Sequence, residues 1–427
     1  MLDIRFIREN PDVVKKACAD KREPDCIDDL LEADDQRRSI QALIDQERHQ
    51  LKELSSQVGI AFKNGEREKG ETLKNQAGKL SGKISELEKK QREIISSWED
   101  LMLRVPNVPD SDAPVGGEEA NIIIDSWGEP PEFDFTPRDH IDLGDILGIL
   151  DMEWGAKITG SGFPVLVGDG ALMSRAIIAL MLDIHRKSGF LEIAPPYLSN
   201  RAAMLGSAQI PKLENDMYRI DEDDLFLIPT SEVPITNLMA GEILDEELLP
   251  LFFTAYSANF RREAGSYGAD TRGLTRVHQF DKVEMVKIVR PESSRDEHES
   301  LLKQAEKVLE TLDVPYRIKL LATGDMSFAS HKIYDIEVFS PGTGKWLEVS
   351  SCTNFLDFQA RRANIRFRPQ GMGAPEYVHT LNASGVALPR LLISLWESNQ
   401  TDRGFIRIPP ALIPYMDRQE LIEPRIR

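Results

Sequence analysis

Two seams of mostly apolar residues, spaced alternately by three and four positions, constrain the fold more than any other feature of this sequence. Seven of the nine positions in the first seam are apolar, and eight of the nine in the second. The first seam consists of Leu30, Ala33, Arg37, Ile40, Ile44, Glu47, Leu51, Leu54 and Val58, and the second of Leu73, Ala77, Leu80, Ile84, Leu87, Gln91, Ile94, Trp98 and Leu101. This period is typical of coiled-coil helices. With breaks at residues 63–65 and at Gly70, it predicts two helices that fold back as an antiparallel hairpin.

The predicted hairpin, residues 27–104, is long enough to be an arm. Each helix of about 30 residues rises roughly 1.5 Å per residue, which gives a projection of about 45 Å. Residues 48–92 hold eleven Lys and Arg against six Asp and Glu, although residues 1–104 together are net negative. Charges on the outside of a coiled coil are often only solvated. They can also contact phosphates, so a solvated face and a nucleic-acid contact both remain open at this point.

A segment rich in proline and glycine, residues 105–118, follows the arm and is predicted to be a linker. The remainder of the chain, residues 119–427, mixes helical stretches with short β-branched runs such as residues 252–256 and 334–339. The turns and polar loops between these runs predict a mainly antiparallel sheet flanked by helices. The chain is therefore predicted to be α+β, with a helical domain at residues 1–104 and a second domain at residues 119–427.

Composition narrows the functional classes. The chain of 427 residues has a formal net charge of −19, which disfavours indiscriminate binding to polyanions and makes any nucleic-acid contact local. The sequence has no run of about 20 uncharged apolar residues and no signal-peptide core, so we expect a cytoplasmic protein without membrane contact. Its three cysteines lack CxxC spacing, which argues against a disulfide framework and against a structural zinc site.

The stretch NFRREAGSYGADTRGLTRVHQF, residues 259–280, indicates nucleotide chemistry. The sequence contains neither GxxxxGK[ST] nor a strand-linked GxGxxG, so an ATP site would be of another kind. Alternation on both sides of the glycine-rich centre predicts a strand–loop–strand hairpin. On it Arg261 can present a planar charged fork to a phosphate and Phe280 a flat face to a purine, with Glu284 on the same face. Each residue alone is more often a surface charge or a core residue, so the prediction depends on their joint spacing.

Several segments resemble those of a known enzyme family. FRREAGS, DTRGL and RVHQFDKVEM resemble motif 2 of the class II aminoacyl-tRNA synthetases, in the form found in seryl-tRNA synthetases. Residues 171–196 resemble motif 1, which builds the dimer interface in that family, and HTLNASGVALPRLL from His379 resembles motif 3. Residues 228–234 resemble the amino-acid-binding TxE loop, and residues 348–354 the ATP-binding strand. With the arm, the resemblance spans essentially the whole chain and implies a class II catalytic domain.

The resemblance also implies roles for individual residues. It assigns serine binding to Thr230, Ser231, Glu232, Arg261, Glu284 and Ser384. It assigns ATP binding to Arg261, Arg262, Glu263, Val277, Phe280, Glu348, Val349, Ser350, Ser351 and Arg390. Among these, the implied catalytic residues are Arg261, Glu263 and Arg390, and the implied Mg²⁺ ligands are Glu348 and Ser351.

The implied reaction is the ATP-dependent attachment of serine to tRNA(Ser) through a seryl-adenylate, with extension to tRNA(Sec). In the family the helical arm holds the long variable arm of the tRNA, and the enzyme is a homodimer. Arg262, Ala383 and Pro389 depart from the usual family text. One alternative is a catalytically silent tRNA-binding paralogue, which would have lost a substrate-contacting residue. Another is a ligase that charges a carrier protein, which would lack the arm.

Overall fold

The computed structural model of the protein describes residues 1–264, 272–371 and 373–424. The chain divides into two compact units, Leu2–Pro106 and Asn107–Arg427, and Met1 belongs to the second. The helices are α1 (Ile4–Glu9), α2 (Pro11–Asp20), α3 (Ile27–Lys63), α4 (Arg67–Arg104), α5 (His140–Leu147), α6 (Met152–Ile158), α7 (Asp169–Lys187), α8 (Arg201–Gly206), α9 (Glu232–Thr236), α10 (Ser294–Thr311), α11 (Phe358–Ala363) and α12 (Leu388–Ser398). Within the described ranges, no helix is both long and apolar enough to cross a membrane.

The strands follow the same chain order and all lie beyond the first unit. They are β1 (Ile122–Trp127), β2 (Leu150–Asp151), β3 (Val165–Leu166), β4 (Leu191–Glu192), β5 (Leu198–Asn200), β6 (Arg219–Ile220), β7 (Leu225–Leu227), β8 (Ile243–Asp245), β9 (Leu251–Phe260), β10 (Gln279–Val289), β11 (Tyr316–Leu320), β12 (Lys332–Ser340), β13 (Lys345–Leu356), β14 (Arg366–Arg368), β15 (Glu376–Tyr377), β16 (His379–Ala387), β17 (Ile406–Arg407) and β18 (Leu421–Ile422). Helices therefore build the first unit, and strands and helices together build the second.

The first unit is dominated by the hairpin of α3 and α4, which have 37 and 38 residues. Every position of the two predicted seams is buried or partly buried. Ion pairs join the helices beside the seam: Lys83 Nζ lies 2.7 Å from Glu47 Oε1, and Arg48 Nη2 lies 2.8 Å from Glu88 Oε1. The predicted antiparallel coiled coil is confirmed.

The turn at the tip of this hairpin is tighter than the sequence predicted. Helix α3 ends against Asn64, Gly65 adopts φ +80°, and α4 begins at Arg67, so the break at residues 63–65 is confirmed. The second predicted break is wrong, because Gly70 is a buried residue inside α4. A Cβ at Gly70 would lie 2.9–3.1 Å from ring atoms of Phe62. Packing of the two helices, rather than a change of chain direction, therefore requires this glycine.

The second unit is built on an eight-stranded sheet with the order β1-β11-β12-β13-β16-β10-β9-β4. Neighbouring strands are antiparallel except for β4, which pairs with β9 in parallel. Strands β9 and β10 form the predicted strand–loop–strand hairpin, with Phe260 opposite Gln279 at the loop end. Helices α7, α10 and α12 cover one face and enclose a core that includes the fully buried Trp396. The predicted antiparallel sheet flanked by helices is confirmed.

Residues 107–117 lie within the segment that the sequence predicts as a linker, and they are hydrogen-bonded to the second unit. Asn107 N donates to Phe328 O at 3.1 Å, and its side-chain Nδ2 donates to Ala329 O at 2.9 Å. Farther along, Gly324 N donates to Gly116 O at 2.8 Å. Proline cannot continue a helix or donate a backbone hydrogen bond, but its carbonyl group can accept one, and Thr323 N donates to Pro114 O at 2.8 Å. The chain therefore docks onto the sheet domain almost directly after α4.

Candidate active site

A cavity of about 410 Å³ lies over the face of the sheet formed by β10, β13 and β16. Alternate residues of these strands form its floor, because successive side chains of a strand point to opposite faces. The floor residues are Phe280, Lys282, Ser351, Thr353, Phe355, Asn382 and Ser384. Residues 207–213, 274–277 and 326–329 supply much of the rest of the lining, together with Arg390 near the start of α12.

Most of the residues that the family resemblance implies line this one cavity, although they are dispersed over 160 positions of sequence from Thr230 to Arg390. They are Thr230, Glu232, Arg261, Glu263, Val277, Phe280, Glu348, Val349, Ser351, Ser384 and Arg390. Glu284 is fully buried and bonds two of the lining side chains. The structure thus brings together residues from five separate segments of the chain.

Two carboxylates lie side by side in the cavity among buried polar groups. Asn382 Nδ2 donates to both Glu232 Oε2 and Glu284 Oε1, at 3.1 Å in each case. Thr230 Oγ1 donates to Glu284 Oε2 at 3.1 Å, and Lys282 forms an ion pair with the same carboxylate. Buried charges are stable only when paired. Glu284 is paired with Lys282, whereas no ion pair to Glu232 is found in the part of the chain that the structure describes, which leaves capacity for a further cation, such as the ammonium group of an amino acid.

The pKa of Glu232 lies near neutral pH, so a cationic ligand can change its protonation state. Burial, and then the neighbouring Glu284 carboxylate, raise the pKa of Glu232 to about 7. A hydrogen bond of 2.5 Å from Gln359 Nε2 to Glu232 Oε1 opposes the shift. Gln359 is held in turn by Thr380 Oγ1, which donates to its Oε1 at 2.8 Å. A bound cation would favour the ionised form of Glu232, so the group loses its proton when a cation binds.

A second set of cavity residues combines arginines with an aromatic ring. Arg261 Cζ lies 5.1 Å from the centroid of the Phe280 ring. Arg390 donates from Nη1 to Glu348 O at 2.8 Å and from Nε to Thr275 O at 3.2 Å. Arginine forks bind phosphate oxygens, and aromatic faces stack on planar rings. The set is therefore suited to a nucleotide, which carries both chemical groups.

The base of the loop between β9 and β10 is closed by pairing of its two sides. Arg261 N donates to His278 O at 2.9 Å. Glu263, whose backbone has φ +51°, pairs with Arg276 at 2.5 Å between Oε2 and Nε. Residues 265–271, which include parts of the segments that resemble motif 2, lie outside the described residues. The pairing fixes where Arg261 enters the cavity relative to Val277, whose side chain is buried.

The two implied metal ligands, Glu348 and Ser351, lie on β13 and both line the cavity. Carboxylate and hydroxyl oxygens suit Mg²⁺, which often binds through one or two protein groups and completes its shell with phosphate and water oxygens. Among the described residues, no cluster of three or more His, Cys, Asp or Glu side chains could hold a metal ion. The donor set therefore fits a Mg²⁺ ion that enters together with a phosphate, rather than a closed protein site.

Besides Glu284, three implied residues lie outside the cavity lining: Ser231, Arg262 and Ser350. Ser231 Oγ lies 2.6 Å from Ser257 Oγ, and Ser350 Oγ donates to Ser384 O at 2.6 Å, so both hydroxyls are buried in hydrogen bonds elsewhere. Arg262 is exposed at the surface. The sequence pattern places these residues in the segments that line the cavity, but the direction of each side chain follows from the local backbone.

Two other departures from the family text fit their positions. Ala383 is fully buried on β16, opposite Met285 on one side and Cys352 on the other, where a small side chain packs between strands. Pro389 lies in the first turn of α12, where its restricted φ is compatible with the helix and no N–H donor is needed. Arg390, directly after Pro389, lines the cavity.

Sequence reasoning did not assign a role to three polar residues of the carboxylate cluster. Lys282 and Asn382 both occur inside the segments that resemble motifs 2 and 3, so their spacing from Glu284 and Ser384 was available as a signal. Gln359 comes from α11 and bonds Glu232 across 127 positions of sequence. No local pattern marks it, since only the packing of α11 brings it to the site.

Two family models match the chain. The model described as "tRNA synthetase class II core domain (G, H, P, S and T)" matches residues 213–399, and the model described as "Seryl-tRNA synthetase N-terminal domain" matches residues 1–109. The first match contains the whole cavity floor. The second contains the helical hairpin.

Relatives of known name cover nearly the full length. A serine–tRNA ligase of Thermodesulfovibrio yellowstonii is 44% identical over 418 residues, which are 97% of this chain and 99% of that protein. A seryl-tRNA synthetase of Pyrococcus horikoshii, solved in complex with ATP, is 35% identical, with a TM-score of 0.93 and 100% coverage of both chains. A Giardia lamblia prolyl-tRNA synthetase, 18% identical over 64% of this chain with a TM-score of 0.56, shares the fold.

The antiparallel sheet with its motif-bearing strands, shared even with the distant prolyl enzyme, is the catalytic core of a class II aminoacyl-tRNA synthetase. The helical hairpin that precedes this core in the sequence narrows the family assignment. Because relatives at 44% identity match from end to end, the chain belongs to the seryl-tRNA synthetase family.

Proposed function

We propose that the protein is a serine–tRNA ligase, which activates serine with ATP to a seryl-adenylate and transfers the seryl group to tRNA. The observation that carries the proposal is the cavity itself, in which the Glu232–Glu284 carboxylate pair lies close to the Arg261–Phe280 pair. An amino acid and a nucleotide can therefore bind side by side. Protein synthesis takes place in the cytoplasm, so the proposal also assigns the protein to that compartment.

In the proposed serine complex, Thr230 and Glu232 hold the substrate ammonium group. Ser384, which lines the cavity, and the Glu284 carboxylate, which carries acceptor oxygens and is bonded to the lining side chains Thr230 and Asn382, then receive the serine hydroxyl. Alanine would leave these buried polar groups unpaired, a penalty of about 1–3 kcal/mol for each group. The additional methyl group of threonine would require space that the Asn382 side chain helps to restrict.

Activation is an in-line displacement at the α-phosphorus of ATP. A carboxylate oxygen of serine forms the new P–O bond, and pyrophosphate leaves. Arg261 is placed to bind the serine carboxylate and the α-phosphate, while Phe280 and Arg390 hold the adenine and Val277 contacts its edge. Glu348 and Ser351 would hold Mg²⁺, which supplies positive charge to the phosphates. Preorganised charge of this kind lowers the barrier without a covalent enzyme intermediate.

Transfer is proposed to follow at the same site. The terminal ribose hydroxyl of the tRNA attacks the activated carbonyl, and AMP leaves. The helical arm is proposed to grip the long variable arm of tRNA(Ser), and of tRNA(Sec) where that tRNA is present. Support comes from the excess of Lys and Arg over residues 48–92, in a protein whose net charge is −19.

A homodimer is proposed from the second unit. Strand β1 lies at the edge of the eight-stranded sheet, and Ile122, Ile123 and Ile124 are each about half exposed there. At the opposite edge, Leu191 of β4, which lies within the segment that resembles motif 1, is 60% exposed. Apolar side chains along a sheet edge favour association with a second surface. Sedimentation at a dimer mass supports this proposal, and a monomer at micromolar concentration contradicts it.

The decisive experiment for the proposed function is ATP/pyrophosphate exchange with each of the twenty amino acids separately, without tRNA. We expect exchange with serine only. Exchange with another amino acid would overturn the proposed specificity. No exchange with any amino acid, while ATP or tRNA still binds, would favour the catalytically silent tRNA-binding paralogue.

A further inference from the structure

A fully buried carboxylate, Glu397, lies on α12 two turns beyond Arg390. It accepts four hydrogen bonds. His140 donates from its backbone N at 2.9 Å and lies 3.2 Å away through Nδ1, both to Oε1. Ser340 Oγ at 2.5 Å and Gly342 N at 3.0 Å donate to Oε2. Every lone-pair region of this carboxylate is thereby engaged, as a buried charge requires.

The bond on the other side of the imidazole determines its tautomer. Leu274 N donates to His140 Nε2 at 3.1 Å, so Nε2 is an acceptor without a proton. The ring proton therefore resides on Nδ1, which donates to Glu397. His140 is itself only 3% exposed. We refer to this connection, from Glu397 through the imidazole to Leu274, as the Glu397–His140 link.

The link ends at the loop that lines the cavity. Leu274 and Thr275 are both lining residues on the return side of the loop between β9 and β10. Arg390 donates to Thr275 O at 3.2 Å. Helix α12 thus holds two consecutive loop residues, one directly from its first turn and one through His140. Gly273, at φ +62°, lets the chain pass, because a Cβ there would collide with His140 Nε2.

We propose that His140 is a positioning residue for the nucleotide. It holds Leu274, and with it residues 274–277, at the distance from α12 that lets Val277 and Arg390 contact the same adenine. The inference rests on the proposed function, since it assigns a substrate to that end of the cavity. It predicts that loss of the link weakens ATP binding and leaves serine binding unaffected, because Thr230, Glu232 and Glu284 form no part of the link.

Two substitutions separate the two halves of the imidazole. In His140→Asn the amide nitrogen can replace Nδ1 and keep the bond to Glu397, but no acceptor reaches Leu274 N. In His140→Gln an amide oxygen can replace Nε2 and keep the Leu274 bond, while the Nδ1 donor is lost. Both variants replace the same buried imidazole ring with a carboxamide side chain. A purely structural role of the ring would therefore affect both alike.

The measurements are KM for ATP, KM for serine and hydrogen exchange at the Leu274 amide, all on the full-length protein. We expect His140→Asn to raise KM for ATP about fivefold, as loss of one hydrogen bond implies, with KM for serine unchanged and faster exchange at Leu274. His140→Gln should stay within about twofold of the wild type for KM of ATP, given its retained acceptor.

Equal losses of kcat and of thermal stability in both variants, with unchanged KM for ATP, would overturn the positioning role. Failure of the proposed function is distinguishable, since it would abolish serine-dependent exchange in the wild-type protein as well. In that case calorimetric ATP binding and exchange at the Leu274 amide still compare the two variants. Equal ATP affinity in both would again overturn the inference.

Discussion

The helical arm and the catalytic cavity are stabilised in opposite ways. In the arm, apolar seams carry the packing and most charged side chains face water, as the Arg48–Glu88 pair does. In the cavity, polar and charged groups are themselves buried, and Glu284 is held by Thr230 and Asn382. This contrast predicts where substitution is tolerated. Exposed ion pairs contribute about 0–1 kcal/mol each, whereas an orphaned buried polar group costs about 1–3 kcal/mol.

Among the cavity residues, we expect substitution of Arg261 to have the largest effect on activity. We expect Arg261→Ala to lower serine-dependent ATP/pyrophosphate exchange at least about a hundredfold, because a preorganised charge at the reacting phosphate is lost. Arg262→Ala is the matched control, since Arg262 is adjacent, exposed and outside the cavity lining. Near-normal exchange in Arg261→Ala, or an equal loss in both variants, would contradict the assignment.

The arm side is tested by removing charge without altering the seam. We expect the triple variant Lys79→Gln, Lys89→Gln and Lys90→Gln to raise KM for tRNA(Ser) about thirtyfold at low salt, since phosphate contacts are lost. All three side chains are exposed. Serine activation should be unchanged.

Lys157→Gln, an exposed lysine of the second unit, is the control for the arm variant. It should leave KM for tRNA unaltered. An arm variant that charges tRNA normally at every salt concentration would show that the basic outer face of the hairpin is only solvated, the other interpretation of its charge pattern.

Within the site, we expect serine binding to depend on pH and ATP binding not to. With the pKa of Glu232 at about 7, KM for serine should rise roughly tenfold between pH 8 and pH 6, because the ammonium group requires the ionised carboxylate. KM for ATP should remain flat. Calorimetry in buffers of different ionisation enthalpy should detect proton release on serine binding near pH 7.

The raised pKa of Glu232 also affects the stability of the folded protein, but stability is favoured at low pH, whereas serine binding is favoured at high pH. A pKa raised in the folded state favours the protonated form, so this contribution to stability is present at low pH and is lost as pH rises through about 7.

Glu232→Gln should remove the pH dependence of serine KM while raising its value. A persistent dependence in that variant would assign the titration to another group.

The smallest expected effects concern the glycines of α4. Gly78→Ala should raise the melting temperature of the arm by a few degrees, since alanine is about 0.5–1 kcal/mol more favourable in a helix and nothing lies within 4 Å of the added Cβ. Gly70→Ala should lower it, because the added Cβ would overlap the Phe62 ring. Circular dichroism resolves the two signs. A gain in both variants would mean that Phe62 moves aside freely.

The arm was predictable almost to its ends because a single period determines it over long stretches. Gly70 was misjudged as a break, since its reason is a ring on the partner helix rather than a local backbone preference. For the site, motif spacing identified Arg261 and Glu284, whereas the inward or outward direction of Ser231 and Ser350 depends on neighbouring strands. No sequence pattern anticipates Gln359, because tertiary packing alone brings α11 to Glu232.

The base of the arm contains one buried acid, Asp34, which forms ion pairs with Arg8, Arg37 and Arg38. It lies seven residues after the start of α3 at Ile27, so most of the 37-residue helix extends beyond it. At roughly 1.5 Å per residue the hairpin is a lever of about 55 Å, and each degree of bending at its base displaces its tip by about 1 Å. Arg37 and Arg38 pair with Asp34 within α3 itself, whereas the Arg8–Asp34 pair joins α1 to α3 at the base, where a small change of helix direction is amplified at the tip. A change at the base that is too small to unfold the arm can still displace its tip.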